Sequence, residues 1–190
     1  MLLSTSPRTG AEIIAALREV HRESVSYWTT FSDAAFFAPI GTAWSPAENV
    51  RHLSKSVRAV QQGMRLPPIL VNWIFGTTDE PARSYETIRT IYLERLAKGA
   101  SAGRFAPESK PAPADPTTER ARIMRVHAAS IEALTARVAK WSEANMDYHV
   151  LPHPLLGPLS VREMLFFTVY HNTHHVLNVQ RLRAGRKSQH

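Results

Sequence analysis

TVYHNTHHVLNVQRLR, residues 168–183, places His171, His174 and His175 almost side by side. In a helix, side chains four apart lie nearly one above the other, so His171 and His175 can turn two imidazoles to the same side. That side runs through Met164, Thr168, His171, His175, Asn178 and Leu182. The spacing of three and four belongs to a seam that a bundle helix turns inward. The ends of the seam are apolar and its middle is polar. Thr, His and Asn facing a hydrophobic interior are costly to desolvate unless they find partners, which a metal ion or a water-filled pocket supplies. His174 falls on a strip with Phe167, Tyr170 and Leu177 and reads as a neighbour of the pair or an interface residue.

Upstream of this stretch, HVLPHPLLGPL carries Pro152, Pro154, Gly157 and Pro158, which interrupt any helix. Ser160 and Glu163 form a capping box, so a helix is expected from there to about Ala184, with Gly185 as its stop. A long helix precedes it, capped by Thr117 or Thr118 and running through ERARIMRVHAASIEALTARVAKWSEANM, with Ile123, Val126, Ile131, Leu134, Val138 and Trp141 at helical spacing. Nearer the N-terminus, Ser45-Pro46 with Glu48 makes a second capping box with proline at the first helical position. That helix should run to about Arg65, before Pro67-Pro68. The first helix, about Thr9 to Ser32, shows Ile13, Leu17, Val20, Ser24 and Trp28 in helical period.

Between positions 67 and 117 the pattern is mixed. ILVNWIFGT is a short buried segment or a strand, PARSYETIRTIYLERLAKG a helix with Ile88, Ile91, Tyr92 and Leu96 on one side, and ASAGRFAPESKPAPADPTT an exposed loop. Strand signals are otherwise nearly absent. Four long amphipathic helices, with a partly helical excursion between the second and third, predict an all-α four-helix bundle forming one domain over 1–190.

Composition bounds the chemistry. The 190 residues contain no cysteine, which excludes disulfides, thiolate metal sites and a cysteine nucleophile, so any metal must sit on nitrogen and oxygen ligands. MLLSTSPRTG has no secretory pattern and no apolar run approaches a bilayer's thickness, so a cytoplasmic protein without membrane contact is expected. The net charge of +7 is spread along the chain apart from the tail RLRAGRKSQH, and no nucleic-acid-binding signature accompanies it, so nucleic acid is not the expected partner.

Two histidines rarely suffice for a durable metal site, and a bundle builds its sites from facing helices. The second helix offers His52, in line with Glu48 and Ser56. Three imidazoles with an open position describe a catalytic divalent site better than a closed structural one. From pattern alone, metal site and wet helix face both remain open. His21, His127, His149, His153 and His190 read as ordinary satisfied or exposed side chains.

Trp44-Ser45-Pro46-Ala47-Glu48 followed by His52-Leu53, and far downstream HPLLGPLSVREMLFFTVYHNTHHVLNVQRLR, resemble the two signature regions of the DinB-like superfamily. The resemblance implies a four-helix bundle binding a divalent metal, zinc or nickel, through His52, His171 and His175. The family usually has glutamine three positions beyond the paired histidines, where this chain has the shorter amide of Asn178.

The resemblance also implies function: a metal-dependent thiol S-transferase acting with a low-molecular-weight thiol cosubstrate, or a metal-dependent hydrolase. In either case the expected partner is a small-molecule substrate. Arg51, Arg181 and Arg183 are candidate anion contacts, and Glu48 is a candidate base whose competing role is the helix cap. The contrasting expectation is a non-enzymatic, stress-associated metal-binding bundle. A homodimer is expected, with Trp28, Phe36, Phe37 and Trp73 forming either core or a dimer patch.

Overall fold

A computed structural model describes residues 6–108 and 110–187 of the chain. The described residues form eight α-helices, a short 3-10 turn and one β-hairpin. In chain order these are α1 (Gly10–Trp28), α2 (Asp33–Phe37), α3 (Pro46–Gly63), α4 (Pro68–Phe75), α5 (Tyr85–Ala97), the 3-10 turn (Gly103–Phe105), α6 (Pro116–Val138), α7 (Glu143–Tyr148), β1 (Val150–His153), β2 (Gly157–Ser160) and α8 (Val161–Lys187). The four long helices α1, α3, α6 and α8 make the bundle, as expected. α1 and α3 each pack on both α6 and α8, so the first two long helices stand on a diagonal. This order sets α3 beside α8, the two helices that carry the histidines.

Local chemistry explains where the helices begin. Ser45 Oγ accepts from the Glu48 amide while the Glu48 carboxylate accepts from the Ser45 amide at 2.7 Å, the reciprocal box expected from the sequence. Ser160 and Glu163 do the same at the start of α8. A third box, Thr9 with Glu12, opens α1.

Several boundaries differ from expectation. The first helix stops at Trp28 because Ser32 caps a separate short helix, α2. α6 is capped by Asp115, with Pro116 in its first turn, rather than by Thr117 or Thr118. It ends at Val138, and Ser142 caps α7 afresh. α8 runs through Gly185 without stopping.

Two segments change type. The apolar stretch near position 70 is neither a strand nor a buried segment but α4, whose Val71 is buried while Ile69 and Trp73 are 76% and 85% exposed. The proline-rich stretch after α7 is the hairpin β1–β2, in which Pro152 and Pro158 stand opposite each other, so their missing N–H groups fall in one pair. Gly157 at φ +77° makes the return, a conformation that side chains with a Cβ rarely adopt. No described helix is long and apolar enough to cross a membrane.

The core divides into two clusters of buried apolar residues. One includes Ile13, Leu17, Val57, Leu134, Leu165 and Val169. The other includes Trp28, Phe36, Val50, Ile123, Val176 and Val179. Trp28 and Phe36 are therefore core, and Phe37 packs partly buried against them. Along both α3 and α8 the change from one cluster to the other brackets a layer of buried polar residues, among them Asn49, His52, His171 and His175.

Candidate metal centre

His52 comes from the inward face of α3, and His171 and His175 come from successive turns of α8. One nitrogen from each falls within 4.8 Å of the others. His171 Nε2 lies 3.0 Å from His52 Nε2 and 3.1 Å from His175 Nε2. All three rings are buried, which pushes each imidazole's pKa down. For His171 and His175 the shift is large, and the neighbouring histidines add to the burial. The site is thus neutral at physiological pH, the state in which imidazole nitrogens offer lone pairs.

The outer nitrogens decide where those lone pairs point. His52 Nδ1–H donates to the Phe105 carbonyl at 2.8 Å, and His175 Nδ1–H donates to Asn49 Oδ1 at 2.6 Å. The Asn49 amide cannot turn round, because its Nδ2 donates to the carbonyls of Ser45 at 2.9 Å and Trp44 at 3.3 Å. A neutral imidazole carries one proton, so His52 and His175 both present bare Nε2 atoms to the centre. His171 has at most one proton to give there, so only one of the two short nitrogen contacts can be a hydrogen bond. Three converging imidazole nitrogens, two of them fixed as acceptors by donors on their far side, fit a divalent cation.

Aromatic rings frame the triad. Trp44 stacks parallel to His175 at 6.0 Å, Phe167 stacks on His171 at 4.9 Å, and the edge of Tyr92 meets both His171 and His174. The histidines open onto a cavity of about 620 Å³ walled by α3, α5, α8, the hairpin and the loop around the 3-10 turn. Its lining is mainly apolar, with Leu66, Leu96, Leu155 and Phe167 among the contributors, and Arg104 is its only Lys or Arg among the described residues. That volume lies in the range of small-molecule sites.

The remaining candidates have other positions. Glu48 is held by Ser45 in the helix cap and does not line the cavity. Arg51 pairs with Glu119 at 3.0 Å, Arg183 lies over the Phe31 ring, and Arg181 is exposed; none of the three lines the cavity. His174 lines the cavity beside the triad without joining it, and burial, with the Arg181 charge, lowers its pKa to about 4. Asn178 is half-buried, and the amide serving His175 comes from Asn49 instead.

Of the five histidines read as ordinary, His21 and His127 pack edge to face between α1 and α6, and His149 meets Asn72. His153 lines the cavity, and His190 lies outside the described residues. Sequence reasoning missed Asn49, the Phe105 carbonyl and the cavity role of His153. An asparagine inside a helix, on its buried face, was the available signal for Asn49; a backbone carbonyl in a proline-rich loop leaves none.

The family model that matches the chain is described as the DinB superfamily and spans residues 16–178. No curated protein matches the chain significantly. Among solved structures, the four-helix bundle protein TT2238 superposes with a TM-score of 0.55 at 16% identity, covering 91% of this chain and 99% of its own. YfiT from Bacillus subtilis, a probable metal-dependent hydrolase with an unusual four-helix bundle topology, superposes with a TM-score of 0.55 at 19% identity, covering 95% and 94%. At these identities the likeness is one of fold.

Proposed function

The chain belongs to the DinB superfamily, and from that membership and the buried triad we propose that it is a metal-dependent hydrolase of a small, largely apolar substrate. His52, His171 and His175 hold the ion, and the cavity beside them takes the substrate. A divalent ion held there supplies Lewis acidity, lowering the pKa of a water or a thiol so that it becomes a nucleophile near neutral pH. The protein's own part is positional. Phe105 and Asn49 fix the His52 and His175 rings, Trp44 and Phe167 hold the ring planes, and the apolar walls limit water around the reacting groups.

The observation that carries this reading is the pair of bare Nε2 atoms facing a third imidazole in a buried layer. YfiT, with the same fold, is itself a probable metal-dependent hydrolase. A thiol S-transferase is the second reading. Because the chain has no cysteine, the thiol enters as a cosubstrate, and Arg104 is the cation in the cavity wall that a carboxylate-bearing thiol would meet.

Elemental analysis of the purified protein beside His52→Ala and His171→Ala tests the site. One equivalent of zinc or nickel in the wild type, lost in both variants, is expected; unchanged metal content in both sinks the triad. Metal-loaded protein is then offered apolar esters and amides, and separately cellular thiols with electrophilic acceptors. Turnover of the first set supports hydrolysis, thiol consumption supports transfer, and silence on both supports the non-enzymatic bundle.

Homodimerisation belongs to the same proposal. The outward face of α4, with Ile69, Leu70, Trp73 and Ile74 beside Tyr148, presents on the order of 500 Å² of apolar surface, a large part of the ~800 Å² per partner in a standard interface. Sedimentation should show a dimer that Trp73→Glu dissociates; a wild-type monomer rejects it.

A further inference from the structure

Among the polar groups of the cavity that the metal reading leaves unused, His153 has the most defined geometry. His153 is 9% exposed, and its Nδ1 accepts from the backbone N–H groups of Leu155 and Leu156, both at 3.1 Å. Those two bonds place the ring proton on Nε2. That Nε2–H has no acceptor among the described residues, although the ring lines the cavity. The donor is open to the cavity and no protein group claims it, so it is a place where an acceptor atom of a ligand can bond.

The ring is held firmly for this purpose. It lies in β1 between Pro152 and Pro154, the hairpin closes over it, and its edge packs on Phe167 at 4.2 Å between ring centres. Phe167 in turn stacks on His171, and His153 lies close enough to His171 to contribute to lowering its pKa. The donor is therefore a fixed feature of the pocket wall next to the triad. Burial lowers its own pKa to about 4, so the ring stays neutral and keeps one donor across the physiological range.

We propose that His153 anchors the substrate's carbonyl oxygen, and that the substrate is an acyl compound, an ester or amide with an aliphatic or aromatic body that fills the apolar cavity. The proposal rests on the reading of this cavity as the substrate site. A neutral N–H donor suits an oxygen acceptor and offers nothing to a cation. Mainly apolar walls with a single arginine suit a hydrocarbon body and disfavour phosphorylated or multiply charged molecules. A hydrogen bond to the carbonyl also strengthens as that oxygen gains negative charge under nucleophilic attack, so the binding contact is also placed to assist the reaction.

Two substitutions separate the two ends of the ring. Asparagine keeps an acceptor where Nδ1 stood, preserving the turn, and lacks the distal donor; glutamine reaches the position of Nε2 with an N–H and loses the turn acceptor. The probe is 2-nonanone, which accepts a hydrogen bond, cannot be hydrolysed and carries no charge. Calorimetric titration of metal-free and zinc-loaded protein gives affinities, and nitrogen-detected NMR of the histidine rings gives the tautomer. His153 should appear protonated on Nε2, with that proton moving downfield as ketone binds. His153→Asn should lose about tenfold in affinity, and His153→Gln should stay within about threefold of wild type, with zinc content unchanged in both. Binding by His153→Asn equal to wild type, failure of the wild type to bind, or a ring protonated on Nδ1 would each overturn the proposal. The titration of metal-free protein keeps its outcome independent of the metal reading, which fails separately if no zinc is taken up.

Discussion

Replacing Asn49 tests whether the triad is a designed ligand set or a chance meeting of imidazoles. Its side chain is 3% exposed and makes three contacts: Oδ1 accepts from His175, and Nδ2 donates to the Ser45 and Trp44 carbonyls. In Asn49→Ala the His175 Nδ1–H loses its acceptor inside the bundle, and the ring is free to rotate or to move its proton to Nε2. Either change removes a lone pair from the centre. Losing such an outer partner typically costs 10–100-fold in metal affinity, or about 1.4–2.7 kcal/mol. Asn49→Asp is the sharper comparison. A carboxylate usually improves a metal-bound histidine, but here it would turn an unprotonated oxygen toward two carbonyls that now receive N–H donors. The expectation is a less stable protein, with the loss of two buried hydrogen bonds costing about 2 kcal/mol or more. Competitive zinc titration against a chromophoric chelator, with urea unfolding of the metal-free forms, measures both effects. Zinc affinity of Asn49→Ala within twofold of wild type would refute this account of how the site is oriented.

Three further outcomes follow from named contacts. His127 is fully buried with a pKa lowered to about 3, and His153 is lowered to about 4, so between pH 6.5 and those values the unfolded chain binds protons that the folded protein refuses. Stability therefore falls as pH falls, by about 2 kcal/mol per residue at pH 5; urea unfolding of metal-free protein at pH 7 and 5 should show it, and His127→Leu should shrink the drop by about 2 kcal/mol. In Glu163, burial alone would raise the carboxyl's pKa, but Arg83 and the amides of Arg83 and Ser160 outweigh it and hold it low. Glu163→Ala should cost about 2 kcal/mol, because Arg83 is 40% exposed and recovers water, and should lower Tm by roughly 4–8 °C in calorimetry; an unchanged Tm rejects the role. Finally, free zinc at about 1,000 times its Kd should raise stability by about 4 kcal/mol and Tm by roughly 8–16 °C, with no shift in His171→Ala, and a shift of equal size in that variant places the binding elsewhere.

What the sequence made legible is what local rules encode. Two capping boxes mark the starts of α3 and α8, and the three-and-four spacing through Met164, Thr168, His171 and His175 places the pair on the inward face. The hairpin was hidden because prolines argue against strands, and only the pairing of Pro152 with Pro158 removes the objection. α4 was hidden because an eight-residue apolar run reads alike as buried strand or helix. At the site, the Phe105 carbonyl could not be seen: it reaches His52 across 53 positions, from a stretch whose composition says only that it builds no core. Side-chain chemistry can be read along a helix, whereas a backbone group's role depends on where the chain happens to return.

The placement of the polar layer explains why this bundle tolerates it. Thr168 and Asn172 donate to carbonyls one turn back in α8, and Ser54 donates to the Val50 carbonyl in α3, so much of the layer is satisfied within its own helices. His52 and His175 spend their outer N–H groups on Phe105 and Asn49. At the three facing Nε2 atoms at most one proton is shared, so lone pairs there lack donors, and apolar clusters on both sides supply the packing that this point cannot. Converging lone pairs that lack donors are a deficit that one small cation can fill. The same deficit makes the metal-free layer less favourable than an apolar one would be, which is the arrangement expected where packing has been sacrificed for a site.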